Sequence, residues 1–314
     1  MSAFLHNFAL ASPLFLLALV GYALARSGRW PATFSETLSR FAYEIAMPAM
    51  LFRMMTGFSA MAPVDFRLLL AFFGGCLIVF AIGRLLAYSL FHLDGVAQSV
   101  FALGGVFSNN VMLGVAIAKT TLSEAALPTV SLVIVFNALI LWTLVTVSIE
   151  WARHGAFSLH GFGKTARGVL TNPIVASILA GTLWGYAGLS LPLFVDRPLA
   201  MLAEAAVPLS LVALGMSLAQ YRIAEGLAQS AAICSIKLVL QPLVVWLLAR
   251  ALGLPALETQ VVTLLASLAM GINVYMMSQQ FRTMQGPVAA GLVLSTVLSS
   301  ITTPVVLTLI RGAA

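Results

Sequence analysis

The sequence predicts an all-α integral membrane protein whose ten transmembrane helices form a 5+5 inverted repeat. Three observations carry this reading. Apolar residues fill 61% of the 314 positions and charged residues only 8%, whereas a soluble domain is roughly a quarter charged. Ten segments are apolar over about 20 residues, the length that crosses a hydrocarbon core of about 30 Å. Landmarks of the first half recur in the second at a nearly constant spacing.

The ten segments are 6–25, 34–56, 66–90, 96–118, 124–149, 169–188, 198–219, 226–252, 258–281 and 287–310. The first has an apolar core from Phe8 to Leu24, with Arg26 and Arg29 after it. A signal-peptide core runs to only about 7–15 residues, so this stretch is expected to stay as a span. The longest polar connection, Glu150 to Gly168, holds Arg153, His154, His160, Lys164 and Arg167 at the middle of the chain. The expected division is a first repeat over 1–150, a linker over 151–168 and a second repeat over 169–314. Connections after odd-numbered spans carry eight Lys and Arg, against six on the other side. The positive-inside rule then puts the linker in the cytoplasm and both termini in the periplasm.

Pro13 and Pro173 are 160 residues apart, as are Gly21 and Gly181. The stretch Glu44-Ile45-Ala46-Met47-Pro48 recurs as Glu204-Ala205-Ala206-Val207-Pro208, again at 160. In span four, Asn109-Asn110-Val111-Met112 has its counterpart in Asn273-Val274-Tyr275-Met276 of span nine, and Asn110 precedes Asn273 by 163. Five spans is an odd number, so the halves must lie upside down to one another. Inverted repeats are characteristic of secondary transporters.

Span four reads Gly104-Gly105-Val106-Phe107-Ser108-Asn109-Asn110-Val111-Met112-Leu113-Gly114, and span nine has Gly271-Ile272-Asn273 at the matching depth. Adjacent asparagines among glycines are poor material for a straight helix. Breaks at corresponding positions of two halves point to a midplane site. A break exposes N–H groups at the positive end of the following half-helix, and asparagine amides add neutral donors. Ser108, Asn109, Asn110, Asn273 and Tyr275 are therefore candidate ligands for a small anion, with Pro48, Gly114, Pro208 and Gly271 as helix breaks. The plainer alternative is that these asparagines bond helices to one another.

Lys237 falls near the middle of span eight, where a charge costs about 2.5–3.5 kcal/mol on insertion scales. It either pairs with a substrate carboxylate, stands in for a coupling cation by holding a broken helix, or tethers carbonyls freed by Pro242. Gln241 lies one turn further along the same face. Glu44 and Glu204, each four residues before a proline, are either proton carriers or structural partners of the kink. Arg84 is expected to snorkel from the end of span three.

Several classes are excluded. Cys76 and Cys234 sit singly within apolar runs, and no Cys or His spacing suits a metal, so neither metal nor cofactor is expected. There is no HExxH, no aspartate-rich diphosphate motif and no nucleophile–base pair, which argues against an intramembrane enzyme. The net charge of +6 comes from loop arginines, so nucleic acid is not a partner. A sodium–proton exchanger would need aspartates at mid-span, and Asp65, Asp94 and Asp196 all lie near span ends.

The chain resembles the auxin efflux carrier family, and within it the bacterial branch of malonate and small-organic-anion transporters. The resemblance rests on Ala46-Met47-Pro48-Ala49-Met50-Leu51-Phe52, on Ser108 to Val115, and on Thr171-Asn172-Pro173-Ile174. It rests equally on Val207-Pro208-Leu209-Ser210-Leu211 with Leu214-Gly215, and on Lys237 with Pro242. It implies a scaffold of spans one, two, six and seven that pairs two copies as a homodimer. Spans three to five and eight to ten would be an elevator-like moving part in the inner membrane of a bacterium, carrying small carboxylates such as malonate. It places Asn110 and Asn273 at the crossing of spans four and nine. A cation-coupled symporter or antiporter of similar architecture is the alternative. Unlike many members, this chain has no proline at either crossing, so glycine and asparagine alone must make the breaks.

Overall fold

A chain surrounded by lipid must pair its backbone N–H and C=O groups within itself, and all regular elements of the described residues are helices. The computed structural model describes residues 3–57, 65–154, 171, 173–220 and 226–312. In chain order these are α1 (Ala3–Arg26), α2 (Ala32–Phe41), α3 (Met47–Met55), α4 (Arg67–Phe91), α5 (Gly95–Gly104), α6 (Val115–Leu122) and α7 (Leu127–His154). There follow α8 (Pro173–Tyr186), α9 (Leu193–Leu218), α10 (Leu227–Ser235), α11 (Gln241–Ala251), α12 (Ala256–Ser267), α13 (Ile272–Gln280) and α14 (Gln285–Gly312). Wide π-helical turns at Ala42–Ala46 and Ile236–Leu240 join α2 to α3 and α10 to α11, and a third at Asn110–Gly114 leads into α6.

Among the described residues, four stretches are long and apolar enough to cross a membrane unaided: Arg67–Phe91, Leu193–Leu218, Leu227–Ala251 and Gln285–Arg311. Shorter apolar helices accompany them, among them Ser12–Arg26, Asn110–Leu122 and Pro173–Tyr186. Large apolar side chains such as Leu70, Leu85, Phe194, Met201 and Leu309 stand exposed on the outside, while Phe72, Phe101, Leu113, Ile117 and Ile174 fill the interior. An apolar exterior over an apolar core is the surface that lipid selects.

Glycine sets the closest helix contacts. A methyl group at Gly21 of α1 would overlap the Val212 carbonyl of α9, and one at Gly181 of α8 would overlap the Phe52 carbonyl of α3. The two glycines are 160 apart, and so are the two residues they face. Gly215 closes against Ala18 in the same way. Small residues of this kind let helix backbones approach in lipid.

The structure corrects several expectations. Pro48 and Pro208 do not break their helices. The π-turn at Ala42–Ala46 ends just before Pro48, and a widened turn carries the proline ring past the carbonyl four residues back. Pro208 sits inside an uninterrupted α9; proline removes one hydrogen bond from the ladder there without stopping it. Gly114 closes the third π-turn and runs straight into α6, so the interruption of span four lies upstream, after Gly104. Arg84 does not reach outward. Its guanidinium donates to Ser148 Oγ at 2.7 Å and Gln98 Oε1 at 3.2 Å, joining α4 to α7 and α5. The expected linker over 151–168 lies mostly outside the described residues, and its first four positions continue α7.

Candidate functional site

Among the described residues, two apolar stretches leave helical geometry partway along, and the two interruptions meet. After α5 the backbone runs on to Asn109 (φ −78°, ψ 61°) before the π-turn. After α12 it extends through Leu268 (φ −70°, ψ 161°) to Gly271 (φ −77°, ψ 146°). Ser108 and Met270 form an antiparallel bridge. The Asn109 N–H donates to the Ala269 carbonyl at 2.9 Å, and the Gly271 N–H donates to the Phe107 carbonyl at 2.8 Å. The two donors, Asn109 and Gly271, are 162 apart, and so are the two acceptors, Phe107 and Ala269, so the bridge is two-fold symmetric in sequence. Gly271 is closely fitted: a Cβ would come 3.0 Å from the Phe107 ring and 3.1 Å from the Ser108 carbonyl oxygen.

Other backbone groups freed by the breaks are taken by buried side chains, as an apolar interior demands. Gln241 Nε2 donates to the Val106 carbonyl at 2.7 Å, and Lys237 Nζ to the Ala266 carbonyl at 2.6 Å. Thr303 Oγ1 donates to the Ser267 carbonyl, and Ser295 Oγ accepts from the Met270 N–H. Lys237 and Gln241, both fully buried, thus hold one break each from the same helical face. Lys237 sits on the last turn of α12, where the helix dipole favours a cation.

Beside the bridge opens a cavity of about 590 Å³, including the part open to the exterior. The first break lines it from Phe107 to Met112, and the second from Gly271 to Asn273. Ile134 and Asn137 of α7 close one side, and Tyr43 with Ile174 and Val175 of α8 close the other. The N–H groups of Val111, Met112, Ile272 and Asn273 have no hydrogen-bond partner among the described residues. Each belongs to the first turn of a half-helix, where the dipole is positive. Three buried side-chain atoms are also without partners: Ser108 Oγ, Asn109 Nδ2 and Asn110 Oδ1. Asn110 Nδ2 reaches Asn137 Oδ1 at 3.4 Å. The arrangement can hold a small anion by neutral donors and dipoles, without a side-chain cation.

Of the candidates read from the sequence, Ser108, Asn109, Asn110 and Asn273 come together on this cavity. Tyr275 does not line it; its hydroxyl accepts from Gln279 Nε2 at 2.6 Å. Lys237 does not line it either, because its ammonium is turned to Ala266. Glu44 is exposed and paired with Arg40 at 3.0 Å, and Glu204 is exposed on α9. Asn137 was missed, although a lone amide within the apolar run Val133 to Leu141 was a visible signal.

A multi-pass helical membrane protein, with two interrupted segments joined beside a partly open cavity edged by amides and free N–H groups, has the build of a carrier. A family model described as membrane transport protein matches residues 8–307, and the chain belongs to that family, the auxin efflux carriers of the resemblance above. It is 30% identical over 315 aligned positions to a protein of Rhizobium meliloti (strain 1021) named "Putative malonate transporter", an alignment covering 97% of this chain and 96% of that one. The family is one of membrane transporters and not of enzymes.

Proposed function

We propose that this chain is a secondary carrier of small organic anions, malonate among them, and that the cavity beside the Ser108–Met270 bridge is its substrate site. The observation that carries the proposal is the convergence of two half-helix N-termini and the unpartnered Asn109 amide on one cavity. The name of the Rhizobium relative supports the substrate class.

The same reading assigns ten spans in two inverted halves. In it α1, α2–α3, α8 and α9 form the scaffold, α4–α7 and α10–α14 form the moving part, and the scaffold pairs two copies in a bacterial inner membrane, termini periplasmic. Two facts support this division. The glycine contacts recurring at 160 join scaffold helices to each other, and the bridge and its braces join helices of the moving part. The cavity lies between the two groups, as an elevator-like carrier requires. Proton or sodium coupling through Glu44 and Glu204 gains no support, since neither reaches the cavity.

Proteoliposomes containing the purified protein should take up labelled malonate saturably. Absence of flux across a panel of mono- and dicarboxylates, with folding verified, would overturn the proposal.

A further inference from the structure

A malonate ion at neutral pH carries two charges, and the cavity is poorly made for two. None of the described residues that line it is Asp, Glu, Lys, Arg or His, and Tyr43 is the titratable one among them. The charged groups of the elements packed around it are engaged or distant. Lys237 faces Ala266, Glu44 is held by Arg40, and Lys119 of α6 is paired with Glu124 at 3.3 Å. Glu258 lies in the first turn of α12, at the end away from the break. Positions 150 and 153 lie more than three turns beyond Asn137 on α7. A second carboxylate in this space would be desolvated without a counter-charge, a state that shifts its proton equilibrium towards the neutral form.

The unpartnered atoms sharpen this. Asn109 Nδ2 and the four free N–H groups of the half-helices are donors only, Ser108 Oγ can donate or accept, and together they suit a carboxylate. Asn110 Oδ1 is different: it is a buried acceptor with no donor, on a residue 2% exposed. Its own Nδ2 donates to Asn137 Oδ1 at 3.4 Å, which leaves the oxygen as the end without a partner among the described residues. A ligand that satisfies both sets has one charged carboxylate and one O–H donor.

Building on the carrier reading, we infer that the transported species is a singly charged small acid with a hydroxyl donor, its O–H received by Asn110 Oδ1. Half-protonated malonate and a short hydroxy monocarboxylate both have this chemistry. A fully ionised dicarboxylate does not.

Three probes in proteoliposomes separate the cases: labelled malonate, its monomethyl ester (one charge, no O–H donor) and 3-hydroxypropionate (one charge, with an O–H donor). Malonate uptake should rise as the outside pH falls, in proportion to its half-protonated fraction. Competition by 3-hydroxypropionate should already be strong at neutral pH and change little with pH. The half-ester should compete about tenfold more weakly than 3-hydroxypropionate, since it leaves a buried acceptor unmet. Asn110→Ala should erase the difference between those two, and where that variant folds poorly Asn110→Leu, which keeps the side chain's bulk, serves instead. A flat pH profile for malonate, or equal competition by half-ester and hydroxy acid in the wild type, would overturn the inference. Malonate flux with a flat profile would leave the carrier reading standing, whereas no flux or competition by any of the three would overturn both.

Discussion

Lys237 Nζ lies 2.6 Å from the carbonyl oxygen of Ala266, one residue before α12 ends at the second break. A tethered cation therefore occupies the negative end of an interrupted half-helix, and the same face supplies Gln241 to the first break.

Removing either side chain leaves a buried carbonyl without its donor. Lys237→Met and Gln241→Leu are each expected to lower stability by about 1–3 kcal/mol, read as a drop in the thermal midpoint of the detergent-purified protein. An unchanged midpoint in both would show that the braces contribute nothing.

Asn109→Ala and Asn273→Ala should weaken binding of a small carboxylate by about tenfold each, the effect of one hydrogen bond to a charged group. Their thermal midpoints should stay near that of the wild type. Tyr275→Phe should bind as the wild type does, because that hydroxyl is turned to Gln279. Equilibrium binding on purified protein checks all three, and a binding loss in Tyr275→Phe alone would displace the site.

Gly21→Leu and Gly181→Leu insert bulk where a carbonyl already stands. Each should cost about 1–3 kcal/mol, the usual penalty of overpacking. Gly74→Ala is the comparison: a Cβ there meets only the Leu248 side chain at 3.7 Å. It should be neutral or stabilising, since alanine is the better helix former.

At the surface, Arg67 donates to Asp65 at 2.8 Å and to the Leu252 carbonyl at 3.1 Å. The Arg67 side-chain hydrogen bond, and then its backbone N–H, hold the Asp65 carboxyl below the usual carboxylate range. A lowered folded-state pKa means that the contribution is present at neutral pH and fades as pH falls through that pKa. Asp65→Asn should remove this acid-side dependence, a small effect at so exposed a pair. The measurement is the thermal midpoint followed from neutral to acid pH in both proteins.

Much of this was legible beforehand. The breaks announced themselves because Gly105, Asn109, Asn110 and Gly271 are residues that a lipid-embedded helix accommodates poorly. The close approaches of α1 to α9 and of α8 to α3 announced themselves in the spacing of Gly21 and Gly181. What Lys237 touches was not legible, because a backbone carbonyl has no sequence signature and Ala266 looks like any other alanine. Pro208 misled for a related reason: proline deletes one donor, and whether a helix stops there depends on its neighbours. Tyr43, Ile174 and Val175 reach the cavity from distant elements, and no local pattern marks an apolar wall.

The two amide bonds across Phe107–Gly271 and Asn109–Ala269 act as a rivet between crossing arms. Two fasteners on one short seam set the pitch of the arms as well as their separation, so a swing or slide of one arm alone must break at least one of them. Under the carrier reading proposed above, an arm that moves takes the other with it, together with the donors that both present to the pocket. On that reading the wall of Tyr43, Ile174 and Val175, which belongs to neither arm, stays with the proposed scaffold.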